Sequence, residues 1–403
     1  MKPTMVAALA AAALAAGAGA ARAQQPVTRA QAVAAALARG PRIALAAPDT
    51  AAARAGLIAA RAFENPTVSA SYSKDIPQYH ASVDLPLDLP WIRSARIRVA
   101  AEARTSARLR FAFEAAGARF DAEQAYTAAL AAAAQARLSR RNALDADSLL
   151  RMAVKRRDAG DASELDVQLS TVNAGQLANA AAGDSADAVS TLLEVQRVMG
   201  LASDRVAIAL ADSLQAPAAD SGTPLPATTL RVAAAEAAAR SADAAVSLAR
   251  RNLLPSPSLM LGFDSHDPTG AETGLLPTFG LALQLPLFNW NGGAIAAAAA
   301  ERDLARAELD VARRESDAAV AQARRELAVA LQKVARDRGL VTSADRVAAM
   351  SLTAYAEGAV ALPSVLEAQR QARDALGHLI DDLAAANAAD AAVRLFSATE
   401  VTP

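Results

Sequence analysis

Apolar and polar residues alternate one by one in four short stretches of this chain, and elsewhere they recur mostly at helical spacing. In Thr67–Ser73 (TVSASYS), Val68, Ala70 and Tyr72 fall on one face and Ser69, Ser71 and Ser73 on the other. After a turn at Lys74–Pro77, Ala81, Val83, Leu85 and Leu87 oppose Ser82, Asp84 and Asp88. The two runs read as a β-hairpin with one apolar and one polar side, strands near 67–73 and 81–88. The pattern returns in strands near 257–264 and 278–288. There Leu259, Leu261 and Phe263 oppose Ser258, Gly262 and Asp264. Beyond a polar loop at His266–Thr273, Phe279, Leu281, Leu283, Leu285 and Leu287 oppose Gly280, Ala282 and Gln284.

Both hairpins end in the same corner. Leu85-Pro86-Leu87 runs to Trp91 and Leu285-Pro286-Leu287 to Trp290, each followed by a long Ala/Arg/Glu run. The chain is therefore a tandem duplication of helix, strand, strand, long helix and returning helix. From Arg93 to Arg156 there is no proline and a single glycine, Gly117, which predicts a helix on the order of 95 Å long. A helix from about Thr50 to Ala62 precedes the first hairpin and stops at Asn65-Pro66. The first long helix breaks at Asp158-Ala159-Gly160-Asp161, and Ser163 with Asp166 three residues on resembles a capping box. The first repeat spans 24–200 with its helical hairpin over 93–199. A Pro/Ala/Ser/Thr-rich linker covers 201–228; the second repeat covers 229–397 with its hairpin over 293–396, leaving a tail at 398–403. In the second long helix Val320, Leu327, Val334 and Val341 recur every seven residues with Ala323 and Ala330 between them, a coiled-coil seam with small knobs.

Composition agrees. Hydrophobic residues make up 53% of the chain but aromatics only 3%, and alanine fills the gap, as in long, closely packed helices. The formal charge of −1 gives no basis for a nucleic-acid partner. Residues 1–23 carry Lys2, an apolar run Met5–Ala16 and Ala21-Arg22-Ala23, the pattern of a secretory signal peptide. With no cysteine there is no disulfide, thiol chemistry or lipid anchor on Cys. His80, His266 and His378 are scattered, and neither a metal site nor a nucleophile–base set emerges, so neither cofactor nor enzyme activity is expected.

Four one-sided strands suit either a sheet packed under helices or strands crossing a membrane. The signal sequence and the very long helical hairpins favour the second. Open strand edges cannot be left in lipid, and the smallest single-chain barrels need about eight strands, so four strands must close with other copies.

In its tip motifs the chain resembles the TolC family of outer-membrane efflux channels. Ala159-Gly160-Asp161-Ala162-Ser163-Glu164-Leu165-Asp166-Val167 resembles the family's G-x-x-S-x-L-D-V turn. Tyr355-Ala356-Glu357-Gly358 with Ser364-Val365-Leu366-Glu367-Ala368-Gln369 resembles its second turn. Leu285–Ile295 is similar to the corner of the CzcC-type heavy-metal branch, with Trp290 where that branch usually has Arg and Pro90-Trp91-Ile92-Arg93 departing in the first repeat.

The resemblance implies a mainly α protein with a small membrane β-barrel: a homotrimer with a twelve-stranded barrel in the outer membrane and a periplasmic α-helical barrel. It implies a passive exit channel fed by an inner-membrane RND-type transporter through a periplasmic adaptor, carrying heavy-metal cations, organic drugs or secreted polypeptides. A soluble periplasmic coiled-coil scaffold is the rival reading. Gate and tip residues follow from the same likeness, and lumen and interface residues from the polar strand faces and the strand–helix corners. Glu367, Ser364 and Asp166 form the periplasmic gate, where crowded carboxylates would have raised pKa values. Gly160, Asp161, Ser163, Glu357, Gly358 and Pro363 form the adaptor-docking tips. Asp84, Asp88, Asp264 and Gln284 line the barrel lumen, and Trp91 and Trp290 sit at the membrane interface.

Overall fold

A computed structural model describes residues 25–201, 204–218, 228–253, 256–265, 274–283, 286 and 288–399. The signal sequence, Gln284, Leu285, Leu287, His266–Thr273 and part of the 201–228 linker lie outside these residues. The chain divides into two compact units, each built from several segments.

The unit without the large sheet contains 1–43, 115–224 and 320–395. Its first strand, β1 (Gln25–Val27), leads into helix α1 (Arg29–Arg39). Thr28 caps α1, accepting from the backbone of Gln31, whose side chain accepts in return from the Thr28 N–H. The Asp212 carboxylate adds negative charge at the same helix end, accepting from the Arg29 N–H at 2.7 Å. Gly40 ends α1 and Pro41 opens α2 (Pro41–Arg61). Proline is favoured at a first helical position because its missing N–H would have no partner there. The helix therefore begins well before Thr50, and Pro48 is carried inside it instead of breaking it.

Two long helices follow the first hairpin, α3 (Pro90–Asp158) and α4 (Glu164–Val198). The segment expected to be a plain linker contains a strand, β4 (Ile208–Leu210), which pairs in parallel with β1. Val27, Ala32, Tyr126, Leu130, Val195, Met199 and Ile208 form the core around this pair. Tyr126 is fully buried, and its hydroxyl donates to the Val27 carbonyl at 2.7 Å. Gln196, also fully buried, donates to the Arg205 carbonyl at 3.0 Å and accepts from the Ala207 N–H at 2.7 Å. Two three-residue strands are too short to be read from alternation. These buried polar side chains hold them.

The second repeat closes with α6 (Gly292–Ala356) and α7 (Leu362–Phe396). The expected seam of α6 is present: Val320, Ala323, Leu327, Ala330 and Val334 are buried, while Val341 is half-buried. Ala330 and Val334 meet Ala386 of α7, with Leu379 and Leu383 against them. Small residues let the two backbones approach, and valine and leucine fill what space remains.

The other unit contains 44–114, 225–319 and 396–403. It carries β2 (Thr67–Tyr72), β3 (Tyr79–Pro86), α5 (Leu230–Arg251), β5 (Ser258–Ser265) and β6 (Leu276–Ala282). The four strands form one antiparallel sheet in the order β2-β3-β5-β6, so the two hairpins join edge to edge. They are six to eight residues long, and β6 ends at Ala282, short of the expected 288. Val68, Val83, Leu261 and Phe279 make one row across the sheet, and Ser69, Ser82, Gly262 and Thr278 make a row on the opposite face. Gly262 is needed there, because a Cβ would lie 2.8 Å from the Ala81 carbonyl oxygen.

Residues Arg313 and Arg306 on α6 pair with Glu236 and Asp243 on α5, both at 2.8 Å, and Arg231 pairs with Glu315. These are exposed pairs of small individual worth, spaced along helices that also share the Thr229–Ser316 hydrogen bond at 2.8 Å. The tail is tied in as well, the Ala398 carbonyl accepting from the Leu230 N–H at 2.9 Å.

Replacing Tyr126 by Phe should cost about 1 kcal/mol, one net buried hydrogen bond. Tyr126→Ala should cost about 4 kcal/mol through the cavity it leaves. Thermal unfolding followed by circular dichroism orders the three proteins; equal midpoints would remove Tyr126 as the pin of the small strand pair.

Candidate functional site

The candidate residues fall into two groups, one at the helical tips and one in the sheet and its corners. At the first tip, α3 ends in Lys155-Arg156-Arg157-Asp158. Gly160 takes φ +85°, and the N–H groups of Gly160 and Asp161 return to the carbonyls of Arg157 and Arg156 at 2.9 and 2.8 Å. This is a Schellman turn, which needs a left-handed residue just past the helix end. The second tip repeats it: Gly358 takes φ +76°, and Gly358 and Ala359 return to Tyr355 and Ala354 at 3.0 and 2.8 Å. The duplication therefore extends to the hydrogen bonds of the turns.

Ser163 caps α4 and shares a capping box with Asp166, at 3.1 and 3.2 Å. Asp166 is thus engaged at the backbone of its own helix end. At the second tip Pro363 and Ser364 sit in the first turn of α7, with the Ser364 N–H on the Ala361 carbonyl at 3.1 Å. Glu357, Pro363, Ser364 and Glu367 are all exposed.

One side chain that the motifs did not single out joins the tips. The Arg156 guanidinium donates to the Tyr355 carbonyl and to the Asp161 carbonyl, and it lies 4.6 Å from the centroid of the Tyr355 ring. Tyr355 is 3% exposed, and burial raises the pKa of its hydroxyl. Leu149, Leu362 and Val365 complete a small core beneath it. Tyr355 belonged to the tip motif, but its partner on the other repeat could not be read from spacing.

Glu367 also has a partner that sequence reasoning passed over. Arg370 binds its carboxylate in a two-point contact at 2.8 and 3.0 Å, and Gln371 donates to it at 2.9 Å. Arg370, with Gln371 helping, holds the Glu367 pKa below the ordinary Glu value. Within one chain the shift is therefore opposite to the rise expected from crowding with other copies. Arg370 also reaches Asp374 at 3.3 Å. The spacing of three residues between Glu367 and Arg370 is the helical signal that would have revealed the pair.

In the sheet, His80 and Asp264 are cross-strand partners joined through Nδ1 at 2.8 Å. Asp84 accepts from the Ser258 hydroxyl at 3.3 Å, and Ser69 and Ser82 share a hydrogen bond of 2.8 Å on the same face. Asp88 is different. It lies past the end of β3, its side chain is 5% exposed, and it is bound by Arg96 at 2.8 Å and Arg93 at 3.4 Å. Arg93 in turn stacks 4.1 Å from the Phe63 ring centroid. Asp88 is thus a corner ion-pair residue and not a free carboxylate, because the strand ends before its alternation reaches it. Gln284 lies outside the described residues.

Trp91 opens α3 half exposed, its carbonyl accepting from Arg251 at 2.6 Å, and Trp290 stands just before α6 at 62% exposure. Among the described residues no group of three or more His, Cys, Asp or Glu could hold a metal ion.

The family model described as "Outer membrane efflux protein" matches residues 227–399, the second repeat. No curated protein matches the chain. Among solved structures, the chain is similar to a membrane protein from Pseudomonas aeruginosa, with TM-score 0.78 and 19% identity over 92% of this chain and 93% of that one. It is similar to the outer membrane protein VceC from Vibrio cholerae, with TM-score 0.75 and 15% identity over 92% and 95% of the two chains. It is similar also to the Campylobacter jejuni CmeC outer membrane channel, with TM-score 0.75 and 14% identity over 92% and 85%. Each likeness spans nearly the whole chain, so both repeats share this fold.

Arg370→Ala should release Glu367, making any ion path past it more cation-selective and returning its carboxyl to the ordinary range. As pH is lowered toward about 4.3, the ordinary Glu value, reversal potentials in a salt gradient should fall sooner in the variant than in the wild type, whose carboxyl titrates lower. Identical pH profiles would show that Glu367 does not face the conducting path.

Proposed function

We propose that the protein is the outer-membrane exit channel of a tripartite efflux system, in keeping with the match of residues 227–399 to the outer membrane efflux protein family. The observation that carries this reading is the sheet. Its apolar face leaves Val68, Tyr72, Val83, Leu85, Leu261, Phe263, Phe279 and Leu281 between 39% and 78% exposed. A contiguous surface of this kind marks contact with lipid or protein. The opposite face carries Ser69, His80, Ser82, Asp84, Asp264 and Thr278, the polar side of a lumen.

Strands β2 and β6 are both open edges, which a membrane does not tolerate, so three copies close a twelve-stranded barrel. In this arrangement Trp91 and Trp290 lie at the membrane boundary. The helical tips, with Gly160, Asp161, Ser163, Glu357, Gly358 and Pro363, receive a periplasmic adaptor that couples the channel to an RND-type pump. Glu367, Ser364 and Asp166 lie at the narrow periplasmic end. The Arg156–Tyr355 contact holds the two tips of one chain together, which makes it a latch on that end. The role is passive conduction and involves no catalysis.

For cargo we favour cations, including heavy metals, on the strength of Asp84 and Asp264 on the polar face. A second reading, organic or polypeptide cargo, draws support from Glu367, whose charge Arg370 balances.

In a planar bilayer the purified protein should form channels. Leu281→Arg, on the apolar face, should cost about 2–4 kcal/mol in the membrane and abolish insertion. Thr278→Arg, on the polar face, should insert normally and lower the cation preference. If both variants inserted and conducted alike, the assignment of the two faces would fail. Arg156→Ala should raise the open probability several-fold; unchanged gating would remove the latch.

A further inference from the structure

A cleft of about 410 Å³ lies between α5 and α6 in the sheet-bearing unit, lined by Asp243, Val246, Ser247, Arg250, Arg251 and Arg302. Three guanidinium groups share it with one carboxylate, and that carboxylate is already taken by Arg306 at 2.8 Å. Arg302 is steadied by Asp303 at 2.7 Å, and Arg251 by the Trp91 carbonyl at 2.6 Å. The Arg250 guanidinium has no hydrogen bond or ion pair among the described residues. The cleft therefore carries an excess of positive charge, held in place by contacts that leave donors free.

Two of the three arginines have an ordinary explanation. Arg250 and Arg251 occupy the last turn of α5, where cations balance the helix dipole. That does not account for Arg302, which reaches the same space from the flank of α6. Nor does it account for the setting. Arg251 is bonded to Trp91 at the first strand–helix corner, and Asn291 of the second corner donates to the Ala249 carbonyl at 2.8 Å; Trp91, Phe288 and Trp290 at these two corners are 50%, 99% and 62% exposed. Exposed aromatic rings beside a cluster of arginines match a lipid headgroup zone: the rings sit among glycerol and upper chains, and planar guanidinium forks grip phosphate.

We propose that this cleft binds the phosphate of an anionic phospholipid at the membrane surface on the helical side of the sheet. The inference rests on the membrane placement of the sheet proposed above. Arg250 and Arg302 supply the two-point contact, and Arg251 ties the headgroup to the corner that carries Trp91.

The test is native mass spectrometry of the detergent-solubilised full chain with added phosphatidylglycerol, with phosphatidylcholine, and with phosphatidylglycerol in competition with inorganic phosphate. The expected result is retention of phosphatidylglycerol at roughly tenfold lower concentration than phosphatidylcholine, undisturbed by millimolar phosphate. The triple variant R250Q/R251Q/R302Q should lose that preference, and Arg250→Gln alone, at an exposed position, should reduce it about threefold. Equal retention of the two lipids, full retention by the triple variant, or displacement by free phosphate would overturn the proposal, the last pointing to a soluble anion instead. Conductance in pure phosphatidylcholine bilayers separates the two readings. Wild-type channels without lipid preference would sink the lipid site alone, whereas absence of channels would sink the membrane placement on which it stands.

Discussion

Backbone hydrogen bonding at the edges of the four-stranded sheet is the constraint on which the proposed assembly depends. β2 and β6 each present a row of N–H and C=O groups that no strand among the described residues satisfies. In water such edges are tolerable; beside lipid each group would cost several kcal/mol. If the apolar face lies in lipid, as proposed, edges that cannot remain open there are reconciled by further copies of the same chain. Oligomerisation is then a consequence of strand count.

The same logic passes to the helices. Each strand pair feeds a helix of 65 or more residues, so in the proposed assembly the symmetry that closes the sheet would also bind the helices. Within one chain alanine already works this way: Ala330 and Ala386 let α6 and α7 approach closely, and Val334 fills the space that remains. Its cost is weak specification, since alanine interfaces slide easily. The chain answers with polar pins at intervals, including Tyr126 on Val27, Gln196 on Ala207 and the row of Arg–carboxylate pairs along α5 and α6.

At the tips, charge is balanced more closely than the motifs suggest. Arg156 ties one turn to the other, and Arg370 covers Glu367. A narrow opening lined by one sign of charge selects among ions; one lined by neutralised pairs admits more varied cargo and leaves the closed state to specific contacts. In the proposed channel this would place the weight of gating on the Arg156–Tyr355 contact and not on a bare ring of carboxylates.

Much of this was determined by the sequence alone. Period-two alternation identified all four strands and their apolar faces, and freedom from proline identified the long helices, because both signals are local and repeat over many residues. Turn chemistry located Gly160 and Gly358, since only a left-handed residue closes those helices. Other features only the tertiary structure decided. β1 and β4 are three residues each and stand about 180 residues apart, so their pairing leaves no periodic trace. Asp88 keeps the alternation of its strand but leaves the sheet, because Arg93 and Arg96 offer it a buried ion pair. Arg156 and Tyr355 are nearly 200 residues apart, as are His80 and Asp264, and in each pair the two residues come from different repeats. A pattern along one chain reports which face a residue occupies. Which residue of the other repeat it meets there depends on how the two copies are docked, and that is a property of the packed molecule.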